Sequence, residues 1–146
     1  MTTFQDVLNK PLDEIDRPSP LPVGTYLTIV DGMPAIGELG KNKNGAAVFN
    51  LKFMQNMPDV DQSALLDALK GKPLSARSIK YTLWLTDDAA WRAKQFLRDH
   101  LQIEGGKTLS ELCSMAMGRQ VMVTLGHQAS DDGQAIYNNV KATAKV

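Results

Sequence analysis

Eight residues beginning at Ser78 alternate without a break. In Ser78-Ile-Lys-Tyr-Thr-Leu-Trp-Leu85, the side chains of Ile79, Tyr81, Leu83 and Leu85 point one way. Those of Lys80, Thr82 and Trp84 point the other. A period of two, filled with β-branched and aromatic residues, predicts a strand with one face in a core. Thr86-Asp87-Asp88 follows at once. A hydroxyl able to accept from free backbone N–H groups, then two carboxylates at the positive end of the dipole, predicts a helix start. Ala90, Ala93, Phe96, Leu97 and Leu101 recur at helical spacing, so the helix is expected to run to about Leu101. Any fold for this chain must accommodate a half-buried strand that feeds directly into an amphipathic helix.

The flanking sequence supplies more strands. Pro11, Pro18, Pro20 and Pro22 fix φ repeatedly and remove backbone donors, which predicts an extended N-terminal arm over residues 1–20. A domain over residues 21–146 is expected to follow it. Val23 to Val30 reads as the first strand, with Tyr26, Thr28 and Val30 on one face. Asp31-Gly32 marks a turn, and Ala35 to Leu39 continues that strand after a bend. Gly40 to Gly45 is a Gly/Asn hairpin tip carrying Lys41 and Lys43. Ala46 to Met54 is the second strand, with Phe49, Leu51 and Phe53 sharing a face. Asp61 caps a short helix with Leu65, Leu66 and Leu69 along one side, stopped at Gly71. After the central strand and helix, Thr108-Leu-Ser-Glu111 has capping-box spacing and opens another helix. Arg119 to Leu125 and Ala135 to Lys141 are the fourth and fifth strands, joined through a polar loop containing Asp132-Gly133.

The predicted class is mostly β with α. A helix between the third and fourth of five strands is the oligonucleotide/oligosaccharide-binding (OB) arrangement, a small five-stranded Greek-key barrel. Here that helix is doubled, and a further short helix stands between strands two and three. A helix-plus-sheet sandwich of another topology is the rival arrangement.

Composition narrows function. The chain has 146 residues, 16 Lys and Arg against 16 Asp and Glu, and one cysteine, Cys113. Its length is enough for one core without staples. Zero net charge argues against a strongly basic nucleic-acid binder but leaves room for a local basic face. Charge is segregated: Asp13, Glu14 and Asp16 crowd the start, while residues 41–80 lean basic. A lone cysteine on a helix reads as a small buried hydrophobe in a reducing compartment. No run is long enough for a membrane span, and Met1 to Lys10 has no apolar signal core, so a cytoplasmic protein is expected.

Catalytic signatures are missing. His100 and His127 have no metal-ligand spacing with Cys113 or any carboxylate. His100 reads as a helix C-terminal cation and His127 as a loop residue. Asp87-Asp88 is explained by capping and Asp131-Asp132 by a turn. No nucleophile elbow, phosphate loop or dinucleotide glycine pattern occurs. The expectation is a protein without enzymatic activity, cofactor or metal. If the more apolar face of each strand looks inward, the outward sets are Asn50 and Lys52; Lys80, Thr82 and Trp84; Tyr137, Asn139 and Lys141. Cations for phosphates and flat rings for bases are what unpaired nucleic acid needs. Tyr26, Phe49, Phe53 and Trp91 are assigned to the core.

The chain also resembles a known kind of protein. The residues that carry the likeness are Pro22-Val-Gly-Thr-Tyr26, the Gly/Asn/Lys loop before Ala46-Ala-Val-Phe-Asn-Leu-Lys-Phe53, and Trp91-Arg-Ala-Lys-Gln-Phe-Leu97 ending in Leu101-Gln-Ile103. Gly118-Arg-Gln-Val-Met-Val123 and Tyr137-Asn-Asn-Val-Lys141 complete it, over roughly residues 20–142. In order and spacing these resemble phage-encoded OB-fold proteins that bind single-stranded DNA and are associated with recombination. The resemblance implies a coat on single-stranded DNA in phage replication and recombination, in the cytoplasm of the infected bacterial host. It also implies phage or host replication and recombination proteins as partners. The chain departs from the acidic tail common among such proteins, ending instead Lys141-Ala-Thr-Ala-Lys-Val146. The DNA-binding set expected is Lys41, Lys43, Lys52, Lys80, Trp84, Arg119, Tyr137 and Lys141. The competing reading is a protein–protein module that binds a phage or host enzyme, favoured by Asp13-Glu14-Asp16. The proline arm offers a route to homo-oligomers.

Overall fold

The computed structural model describes residues 19–129, 133 and 136–146. The expected arm, apart from its last two residues, lies outside them, as do Asp131 and Asp132. Six strands form one antiparallel sheet: β1 (Gly24–Val30), β2 (Ala35–Leu39), β3 (Asn44–Asn56), β4 (Ser78–Trp84), β5 (Gln120–Ala129) and β6 (Ile136–Ala144). Among the described residues three α-helices interrupt them, α1 (Gln62–Leu69), α2 (Ala90–Gln95) and α3 (Leu109–Ser114), with a 3-10 turn at Leu74–Ala76. A π-helical turn, Phe96–His100, prolongs α2. None of the described helices is long and apolar enough to cross a membrane.

The count is six rather than the expected five because residues 31–34 break the first strand in two. Both halves still pair with β3 along the same edge: β2 beside Asn44–Val48 and β1 beside Leu51–Asn56. β4 pairs with the other edge of β3, β5 with β1, and β6 with β5. The path β4-β3-β1-β5-β6 is the strand order of an OB-like arrangement. A closed barrel is not formed. Among the described residues, β4 and β6 share no ladder, and side chains bridge the seam between them. Tyr81 of β4 faces Thr143 of β6 across it. His100 Nδ1 lies 2.6 Å from Thr143 Oγ1. At the other end Leu21 is buried, its N–H donating to Asn138 Oδ1 at 2.7 Å and its carbonyl accepting from Asn138 Nδ2 at 2.8 Å. Arg77 donates to the carbonyl of Ser19.

The alternation of β3 decides the core. Ala47, Phe49, Leu51 and Phe53 are all buried, as are Tyr26, Thr28 and Val30 of β1 and Val121, Val123 and Leu125 of β5. Thr28 is tolerated there because its hydroxyl donates to the Val121 carbonyl at 2.9 Å. The buried Tyr26 hydroxyl donates to the Pro22 carbonyl at 2.7 Å. Burial pushes its phenol up to about 12, helped by the Asp59 carboxylate and opposed by Arg77. The lone thiol, Cys113, is buried as expected, and burial raises its pKa.

Gly24 opens β1 with φ 141°, and a Cβ there would stand 2.6 Å from Val60 Cγ2 and 3.3 Å from Val60 Cα. Neither the backbone angle nor the space admits a side chain. Gly24→Ala is therefore expected to lower stability by about 2–4 kcal/mol, combining local strain with overpacking. Chemical denaturation would show it as a lower midpoint.

The helices correct the sequence expectations at their ends. Asp61 caps α1 as expected, its Oδ1 accepting from Ser63 N at 3.0 Å and Ala64 N at 3.2 Å. Leu65 and Leu69 are buried, but Leu66 is 67% exposed, because it lies one helical step off that stripe. Thr86 does not cap α2 with its hydroxyl: its carbonyl accepts from Ala89 N at 3.1 Å and Ala90 N at 2.8 Å, and the helix begins at Ala90. Thr108 Oγ1 does accept from Glu111 N, at 3.2 Å, but Glu111 Oε2 returns to Lys107 N at 2.7 Å rather than to Thr108.

Candidate nucleic-acid interface

The face of β3 and β4 turned away from the core carries the even-numbered residues of both strands. Cross-strand pairs on it are Ala46 with Trp84, Val48 with Thr82, Asn50 with Lys80 and Lys52 with Ser78. Lys52 and Lys80 are diagonal neighbours, close enough for long side chains to act on one ligand. Both are exposed. Along β4 the sequence of groups is cation, hydroxyl, indole.

Trp84 is 41% exposed while Ala46, its cross-strand partner on this outer face, is 0% exposed. A Cβ placed on Gly40 would stand 3.8 Å from Trp84 Cη2. Gly40 lies just past β2, on the far side of β3 from β4. The indole therefore leans from β4 across β3 toward the hairpin tip. One edge of the ring thus meets the tip of the β2–β3 hairpin. The tip is a tight turn in which Lys43 N donates to the Gly40 carbonyl at 3.2 Å, and Lys41 and Lys43 are exposed on it. Lys52, Lys80, Trp84, Lys41 and Lys43 therefore form one strip: two lysines, an indole, two lysines.

The other expected residues lie elsewhere. Tyr137, 40% exposed, starts β6 and lines a cavity of about 390 Å³ at the seam with Arg77, Ser78 and Ile79. Ser78 and Trp84 are the two ends of β4, about 20 Å apart at the rise of a strand, so the two rings are not adjacent. Ile136, which the outward phase of Tyr137 would turn inward, is 53% exposed. Lys141 stands at a bulge in the β5–β6 ladder, and its stem crosses Gly126, where an added Cβ would collide with it. Asn139 Oδ1 beside it is buried with no hydrogen-bond partner among the described residues. Arg119 lines a separate open cavity with Arg98, His100, Glu104 and Lys145.

Trp91, expected in the core, is 58% exposed. Counting by helical turns rather than by residue type places it with Lys94 and Arg98, opposite Ala93, Phe96 and Leu97. His127 is not in a loop but on β5, its Nε2 2.7 Å from the Leu21 carbonyl. His100 stands in the last turn of the π-helical segment, as expected, with its Nδ1 2.6 Å from Thr143 Oγ1. No group of three His, Cys, Asp or Glu residues suited to a metal occurs among the described residues.

No family model matches the chain, and no curated protein matches it. Among solved structures it is similar to a chain of yeast RPA bound to ssDNA, with 8% identity and a TM-score of 0.33. The match covers 100% of this chain and 88% of that one. Likeness at that level establishes neither fold nor function.

Proposed function

We propose that the protein binds single-stranded DNA without strong sequence preference. The outer face of β3 and β4 and the β2–β3 hairpin tip make the contacts. Lys41, Lys43, Lys52 and Lys80 meet phosphates and Trp84 stacks on a base. The observation that carries this reading is the placement of Trp84, part-exposed between two pairs of lysines with its rim toward the hairpin tip. A part-exposed ring on a strand surface offers a face to a base, while the flanking cations follow the backbone on either side. Tyr137 and Lys141, near the seam, make a second contact region further along the strand. Arg119 stands apart from this track. A role in phage replication and recombination is the setting that the sequence resemblance implies for such binding.

Trp84→Ala tests the stacking role. Losing one stacked base costs about 1–3 kcal/mol, which is roughly a five- to 150-fold weaker complex. Fluorescence anisotropy with labelled oligo-dT at low salt reads it. Unchanged affinity would remove Trp84 from the site. Because Trp84 is part-buried opposite Ala46, circular dichroism on the same variant checks that the sheet is intact.

A further inference from the structure

A second surface, away from the strip, is built for a different ligand. Trp91, Lys94 and Arg98 share one face of α2 and its π turn. With Lys107, Leu109 and Leu112 they line a groove of about 360 Å³. Its floor is apolar and its rim carries three cations. No carboxylate among the described residues lines it. Arg98 is fixed there, donating to the carbonyls of Ile103 at 3.1 Å, Gly105, and Gly106 at 2.8 Å, so its charge meets dipoles and not an anion. The Arg92 guanidinium lies 5.3 Å from the centre of the Trp91 ring.

The chain itself contains a segment of complementary chemistry. Leu12-Asp-Glu-Ile-Asp16 has three carboxylates, with two aliphatic side chains three residues apart. This acidic cluster balances the basic remainder of a chain with zero net charge. We infer that the groove beside Trp91 receives the Leu12–Asp16 segment of a second copy of this chain. The carboxylates pair with Lys94, Arg98 and Lys107, and Leu12 or Ile15 covers Leu109 and Leu112. The same segment of the chain's own copy is the rival occupant, and a wild-type chain that stays monomeric would favour it. Ser19 is held by Arg77 at the start of β4, and Leu21 by Asn138 at the start of β6. The groove is built from elements that follow the end of β4 and precede β5. This inference does not depend on DNA binding.

Sedimentation velocity on the full chain, without DNA, tests it with two charge reversals. One is Lys94→Glu with Lys107→Glu; the other is Asp13→Lys with Glu14→Lys and Asp16→Lys. The wild-type chain should self-associate in the micromolar range. Each variant alone should associate at least about tenfold more weakly, and an equimolar mixture of the two should associate again, because each offers the other a complementary charge. A wild-type chain that stays monomeric, variants that associate like wild type, or a mixture that stays dissociated would overturn the inference. Capture of an acidic partner protein by a monomeric chain would do the same. Oligo-dT anisotropy on both variants is the control: lost DNA affinity in the groove variant would make the groove part of a nucleic-acid path and would also refute the assignment.

Discussion

Phe96→Ala should remove about 3–5 kcal/mol of stability, the upper end of what truncating one buried side chain costs. Phe96 is buried, with its ring 5.1 Å from that of Phe49 and 5.1 Å from that of Tyr81, edge-on to both. His100 adds a third edge contact at 6.4 Å. Phe49 belongs to β3 and Tyr81 to β4, so this one ring joins the helix to the two strands that carry the proposed site. The π turn puts it there: the Leu101 N–H reaches back five residues to the Phe96 carbonyl at 2.8 Å. Truncation would leave a cavity among aromatic edges, which rigid neighbours fill poorly. Natural domains have about 5–15 kcal/mol in total, so the variant should unfold at a much lower urea concentration with an unchanged slope. A loss below about 1 kcal/mol would mean that the helix is not anchored through this ring.

How far the fold is legible in the sequence can be seen around Phe96 itself. The alternation from Ser78 locates β4, and helical spacing assigns Ala93, Phe96, Leu97 and Leu101 to the core, where all four are buried. Both signals are local periodicities set by one hydrophobic surface. The π turn is not legible, because one wider turn leaves the apolar spacing almost unchanged. Trp91 is misplaced when residue type outranks helical phase. The seam is out of reach for another reason. Whether β4 and β6 exchange hydrogen bonds depends on the curvature and bulges of the strands between them, not on any feature of either sequence. The bulge between Thr124 and Leu125 in the β5–β6 register is one such determinant.

Binding to oligo-dT should weaken by about fiftyfold between about 50 and 200 mM salt. The four lysines at 41, 43, 52 and 80, if each neutralises one phosphate, give a slope near −0.7 × 4, or about −2.8, in log affinity against log salt. Replacing all four with glutamine should flatten the slope to no more than about −0.7, the share Lys141 can supply, and abolish measurable binding at moderate salt. A slope left unchanged by that variant would place the phosphate contacts elsewhere, for instance at the Arg119, Arg98 and Lys145 cavity. The four lysines are exposed, so the variant should fold normally.

The composition of this strip is legible in the sequence, and its geometry is not. Outward lysines and Trp84 follow from strand phase alone. That the indole approaches Gly40 depends on β2 pairing with β3 on the far side, a tertiary fact. The same tertiary facts separate Tyr137 from Trp84 and send Arg119 to another cavity. A set of outward-facing residues cannot distinguish one patch from three.

The most direct test uses Trp91→Phe, which leaves Trp84 as the sole tryptophan, the chain having two. Its fluorescence is followed while oligo-dT is added at low salt. Trp84 stacked on a base predicts saturable quenching that is reversed by raising the salt concentration. An emission spectrum that does not change while anisotropy reports bound DNA would contradict the proposed site, and no binding at low salt would contradict the function.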